Sequence, residues 1–290
     1  MIRLFQIAVF SCLPFCLIGC NASEEGEPIW QRVKLGDLAP PHNGKQDESQ
    51  SLKTINFNVY IFEMPAENIT VLDDIWQILY TSPFQFNDYD AFCSNSFLVG
   101  FGPRAIANLI ADLLRAAGGK RIQTVSVLLP DGQTNDVTIA RLYRKQPIFY
   151  VSANGSTEGA TIGPGKLALR IKAEKVAGLR GLCNVSAQPI FTSPVRSAVP
   201  ELAARTKFNE YPFTSAGFGL KMGPGDIFFL GPEKYIDGQV TLASYFFSRP
   251  APSSSVRMLL IPPAGDSQTP QPYFGPVVRT YMIICTGIND

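Results

Sequence analysis

Apolar residues fall two apart where the folded part of the chain begins: Ile55, Phe57, Val59 and Ile61 alternate with Asn56, Asn58 and Tyr60. That period predicts a β-strand with one buried face, ended by Met64-Pro65. The period then changes. Val71, Leu72, Ile75, Ile78 and Leu79 share one helical face, so a helix capped by Asn68 or Thr70 is expected to run to about Tyr80. A second strand over 95–101 leads through Gly102-Pro103 into the clearest helical pattern, Ile106, Leu109, Ile110, Leu113 and Leu114, closed by Arg115 and Gly118-Gly119. Strands over 121–129 and 136–143, joined by Pro130-Asp131-Gly132, complete a β-α-β-α-β-β order.

From residue 146 the helical period nearly vanishes. Residues 166–174 alternate apolar and charged positions, which is the pattern of a strand with one wet face. Further strands are expected over 147–153, 183–192, 208–218, 226–230, 240–247, 256–261 and 277–285, with a brief helix over 199–207. Gly163-Pro164-Gly165, Gly223-Pro224-Gly225, Gly231-Pro232 and Gly275-Pro276 punctuate them. The expected fold class is therefore α+β: a small α/β sandwich domain over 54–145, followed by an all-β sandwich or barrel-like domain over 146–290.

Residues before 54 read differently. Arg3 precedes a mostly apolar run over 4–18, too short and too interrupted for a membrane span but laid out as a signal peptide. The run closes on Leu17-Ile18-Gly19-Cys20, which resembles the lipobox of bacterial lipoproteins. The resemblance implies removal of residues 1–19, diacylglycerol attachment and N-acylation at Cys20, and anchoring to a membrane through the acyl chains. Asn21, in place of the Asp that marks inner-membrane retention, points the resemblance to an outer membrane. Residues 20–53 then form a polar tether with Pro40-Pro41 in its middle, which as flexible coil spans roughly 30 Å. A second stretch, 97–119 (FLVGFGPRAIANLIADLLRAAGG), resembles half of a SPOR domain, a small peptidoglycan-binding fold of two strand-helix units. Ring-building domains of secretion channels share the same local order.

Charge narrows the partners. Of 25 basic and 24 acidic residues, the leader removes Arg3 and no acid, leaving an even balance with no electrostatic footprint for nucleic acid. Chemistry is narrowed too. His42 is the one histidine and lies in the tether, so a triad lacks its positioned base. Cys93, Cys183 and Cys285 remain after the leader and the anchor take three, without metal-ligand spacing; at most one bridge can form among them, and sequence does not choose the pair. No metal and no cofactor is expected. Asp73-Asp74 suits the first turn of a helix, and Asp88 and Asp90 suit Asx turns in a loop. Gly100-Phe101-Gly102-Pro103 joins strand to helix but has Ala105 where a dinucleotide fingerprint needs its third glycine.

The most suggestive partner surface is 80–92, where Phe84, Phe86 and Tyr89 alternate with amides and acids, as where rings stack on sugars or anchor a protein; burial of the rings in the core is the competing reading. The chain is thus expected to be a membrane-anchored envelope component that binds or supports an envelope protein or a glycan without catalysis. The alternatives are a carboxylate-dependent envelope hydrolase and a subunit of a secretion or peptidoglycan-associated complex.

Overall fold

A computed structural model describes residues 53–193, 209–235, 240–249, 259–261, 271–273 and 275–289. Cys20, the tether and the brief helix expected over 199–207 lie outside the described residues. The first half carries β1 (Thr54–Pro65), α1 (Val71–Ile78), β2 (Gln85–Phe86), α2 (Tyr89–Ser94), β3 (Phe97–Gly102), α3 (Arg104–Ala116), β4 (Lys120–Pro130) and β5 (Thr134–Leu142). There follow β6 (Gln146–Val151), β7 (Thr157–Ile162), β8 (Gly165–Lys175), β9 (Cys183–Ser193), β10 (Asn209–Pro212), β11 (Phe218–Met222) and β12 (Ile227–Pro232). The chain ends with α4 (Leu242–Phe247), β13 (Ser248–Arg249), β14 (Leu259–Ile261), β15 (Gln271–Tyr273) and β16 (Val277–Asn289).

Twelve of the described strands form two stacked antiparallel sheets, and β6-β7 and β14-β15 make two separate antiparallel pairs. Sheet A runs β3-β12-β16-β1-β4, with β13 beside β16; sheet B runs β2-β11-β9-β8-β5, with β10 beside β9. Neither closes on itself, so the barrel-like alternative is corrected to open sheets in a mixed α+β body. The division expected at residue 145 also falls away. β1 pairs with β16 along its whole length, and β3 pairs with β12, so each sheet draws strands from both sides of that boundary. Strand period reads which face is buried but not which strand lies alongside, and the partners in β1 and β16 are more than 200 residues apart.

Alternation along each strand explains the layers. Ile55, Phe57, Val59 and Ile61 of β1 join Tyr281 and Ile283 of β16 and Phe228 of β12 in the core between the sheets. The opposite face of sheet A sends Phe62, Met64, Phe229, Val278 and Met282 into a second core under α1 and α3, through Leu72, Ile75, Ile110 and Leu114. α1 is shorter than its apolar run predicts, because Leu79 is already extended and Tyr80 pairs with Phe101. Gly100 and Gly102 serve this contact. A Cβ at Gly100 would lie 2.6 Å from Leu79 Cβ, so the glycines seat a helix on a strand.

Three local expectations change. Asp88 and Asp90 lie at the start of α2 rather than in a loop, with the Asp88 carboxylate accepting the Ala91 amide at 2.9 Å as an N-cap. The strand expected over 240–247 is α4. Its aromatic run favours a strand, but a reciprocal Thr241–Ser244 capping box starts a helix whose Leu242, Ala243, Phe246 and Phe247 are all buried. The single strand expected over 208–218 is split between β10 and β11 by a turn of 3₁₀ helix over Thr214–Ala216.

Candidate functional site

α3 covers only part of sheet A, leaving a groove beside the helix of about 580 Å³. Its floor is the exposed end of the second core: Tyr60 and Phe62 from β1, Met282 and Ile284 from β16. One wall is a single stripe of α3, Arg104, Asn108, Ala111 and Arg115, spaced four, three and four residues apart. The opposite wall is the start of β4, Lys120 and Arg121.

The backbone between the walls explains their closeness. Gly118 has φ 74°, and a Cβ on Gly119 would meet Leu114 O at 2.5 Å, so the helix can turn into β4 without a spacer only through glycine. Along β4 the pairing with β1 shifts between Ile61 and Phe62, which face Gln123 and Arg121, leaving Ile122 as the extra residue of a bulge. The bulge sets Arg121 opposite Phe62, and its guanidinium lies 5.5 Å from the centre of the Tyr60 ring.

Electrostatically the groove is one-sided: Arg104, Arg115, Lys120 and Arg121 line it, and among the described residues no carboxylate does. Asp112 pairs with Arg115 at 2.5 Å, but both are well exposed and the pair holds the arginine only loosely. Other concavities differ. The one on the outer face of sheet B sets Lys172 and Lys221 against Glu174, with Lys172 and Glu174 paired, and another brings Asp131 among Lys53, Lys175 and Arg180. Among the described residues β4 is also the edge of sheet A, with no further strand paired beyond it, and Leu128 is 61% exposed.

This arrangement can bind and orient an anion with apolar parts. Among the described residues lining the groove there is no nucleophile beside a base and no pair of acids. Sequence reasoning singled out α3 for its apolar face and missed the polar stripe. The two arginines eleven residues apart were readable, but their meeting with Lys120 and Arg121 depends on the glycine turn and the bulge.

The aromatic segment lies elsewhere. Phe84 and Phe86 are half-buried against the core between the sheets, with ring centres 5.6 Å and 6.4 Å from Phe218. Tyr89 is 59% exposed, tilts on Phe86 at 5.1 Å, and shares a hydrogen bond with Cys93 that raises its pKa. The structure therefore gathers Phe84, Phe86 and Tyr89 into one stack with Phe92 and Phe218, in which Tyr89 is the exposed member. Asp73 and Asp74 stand exposed in the first turn of α1, where the helix dipole accommodates them.

Comparison with known proteins adds little to this geometry. No family model matches the chain. No curated protein matches it either. Among solved structures it is similar to the InvG secretin domain β-barrel from the Salmonella SPI-1 injectisome NC-base, at 13% identity and a TM-score of 0.23. The alignment covers 82% of this chain and 64% of that one, so the chain spans less than two thirds of its length. So low a score carries no argument about architecture or role.

Proposed function

We propose that this chain is a lipid-anchored, non-catalytic binding component of a bacterial cell envelope, and that the groove beside α3 receives an acidic, extended segment of an envelope protein. The anchor is Cys20 within Leu17-Ile18-Gly19-Cys20, held by acyl chains. The observation that carries the binding reading is the meeting of four cations with no carboxylate along an open sheet face. A polypeptide suits that face better than a headgroup does. It can answer the cations with its acids, lay apolar side chains on Ile284 and Leu128, and use the open backbone of β4 as an added strand.

The test has two arms. Metabolic labelling with an alkyne-tagged fatty acid is expected to mark the wild-type chain and not Cys20→Ala; equal labelling removes the anchor. For the groove, a fluorescein-labelled peptide of alternating Glu and Val is titrated by anisotropy against the intact chain at low and high salt. Binding is expected to be salt-sensitive and about tenfold weaker, some 1.4 kcal/mol, in Arg104→Glu/Arg121→Glu. Unchanged affinity in that variant discards the groove, and co-sedimentation with peptidoglycan sacculi in the absence of peptide binding replaces the protein partner by a glycan.

A further inference from the structure

Two cysteines from different sheets lie in one core beside the corner that joins the sheets. Cys183 opens β9 in sheet B and Cys285 lies in β16 of sheet A, yet both are free thiols fully buried in the same core. The reason is the crossover between the sheets. Met222, at the end of β11, pairs with Cys183, while Ile227, at the start of β12, pairs with Ile284, the residue beside Cys285. The four residues between them, Gly223-Pro224-Gly225-Asp226, make the whole passage from sheet B to sheet A. That turn is tied to Cys285 itself: the Gly225 amide donates to Cys285 O at 2.7 Å, and the Cys285 amide donates to Asp226 O at 3.0 Å. Stacked sheets ordinarily lie about 10 Å apart, too far for two cysteine side chains in most places. Here a short corner draws them together, with Cys183 Sγ also 3.4 Å from Met222 O.

We propose that Cys183 and Cys285 are oxidised to a disulfide that clamps sheet A to sheet B, with Cys93 left as the free thiol. The proposal rests on the export reading, since a bridge persists only in an oxidising compartment. The oxidant is an external disulfide, carried by a thiol–disulfide oxidoreductase or a small thiol. One protein thiolate attacks it, forming a mixed disulfide and expelling one external sulfur; the other protein thiolate attacks the mixed bond and expels the second. Two electrons pass from the cysteines to the external disulfide, and their two protons end on its two released thiols. Exchange precedes closure of the sandwich, because neither sulfur is accessible afterwards.

The full chain is refolded in a mixture of oxidised and reduced glutathione, denatured, alkylated and mapped by mass spectrometry without reduction. The expected result is a linked pair of peptides carrying Cys183 and Cys285, an alkylated Cys93, and a Tm that drops by about 10 °C on reduction, as for a closed loop of about 100 residues. Alkylation of Cys93, Cys183 and Cys285 alike, or a link to Cys93, overturns the proposal. Cys183→Ala/Cys285→Val, which keeps the core apolar, is expected to lose the reductant sensitivity; a Tm drop on reduction equal to that of wild type also overturns it. The same mapping on chain recovered from cells separates the two readings. An uncleaved leader with reduced cysteines, beside a bridge formed on refolding, sinks export and leaves the pair standing, whereas a processed chain with both thiols reduced sinks the clamp alone.

Discussion

Glu63 shows how one residue joins distant parts of this chain. Only 3% exposed, it accepts from Arg279 at 2.6 Å and from Arg249 at 3.1 Å, and Arg279 also donates to Ile139 O at 2.9 Å. One carboxylate thereby ties β1 to β13, β16 and β5. A buried ion cluster need not be more stable than an apolar one, but removing a single partner leaves charge in a dry place. Glu63→Ala is therefore expected to cost about 3 kcal/mol, read as a lower urea midpoint at unchanged slope. Glu63→Gln keeps one acceptor oxygen for the arginines and should lose less than Glu63→Ala. In the sequence, Glu63 stands as a charge after Phe62 at the end of a strand, and nothing local reveals its two arginines.

At the scale of elements, the wet face of β8 is held by charge. Arg170 grips Asp136 of β5 and Glu210 of β10, both at 2.7 Å. The guanidinium holds the Glu210 carboxyl below its usual range and is itself pushed up, first by its bond to Glu210. A carboxylate whose folded pKa is depressed contributes its full stabilisation above the unfolded value of about 4.3, and loses it as the pH falls through the folded value. Wild type should accordingly lose urea resistance on going from pH 7 to pH 3 more steeply than Arg170→Met. The difference should stay under about 1 kcal/mol, because these groups are partly exposed. The charged positions of this strand were legible from the alternation of 166–174, as was its buried face, Leu167, Leu169, Ile171 and Ala173. α4 was not legible, because a capping box and tertiary burial outweigh the strand preference of Tyr245-Phe246-Phe247.

The described residues are built around an interlocked pair of sheets rather than two beads on a string. β1 lies between β16 and β4, and β3 has β12 as its sheet neighbour, so residues 54–145 alone would expose both sides of their own core. That segment expressed by itself is expected to lack the dispersed amide NMR spectrum of the full chain. A well-dispersed spectrum would restore the two-domain division. At this scale the groove is also assembled, since its floor comes from β1 and β16 and its walls from α3 and β4.

Local order alone determined the strand faces, the α3 helix, the glycine turn at its end, and the lipobox-like stretch that motivates the envelope reading, because each depends on residues within a few positions of one another. Only the tertiary structure decided that the first and last described strands pair, that two arginines of a helix meet Lys120 and Arg121 over an open sheet, and that Cys183 and Cys285 are buried in one core while Cys93 is only partly buried. Those juxtapositions join positions far apart in the chain. They are set by which apolar faces bury one another, a choice that period and propensity leave open.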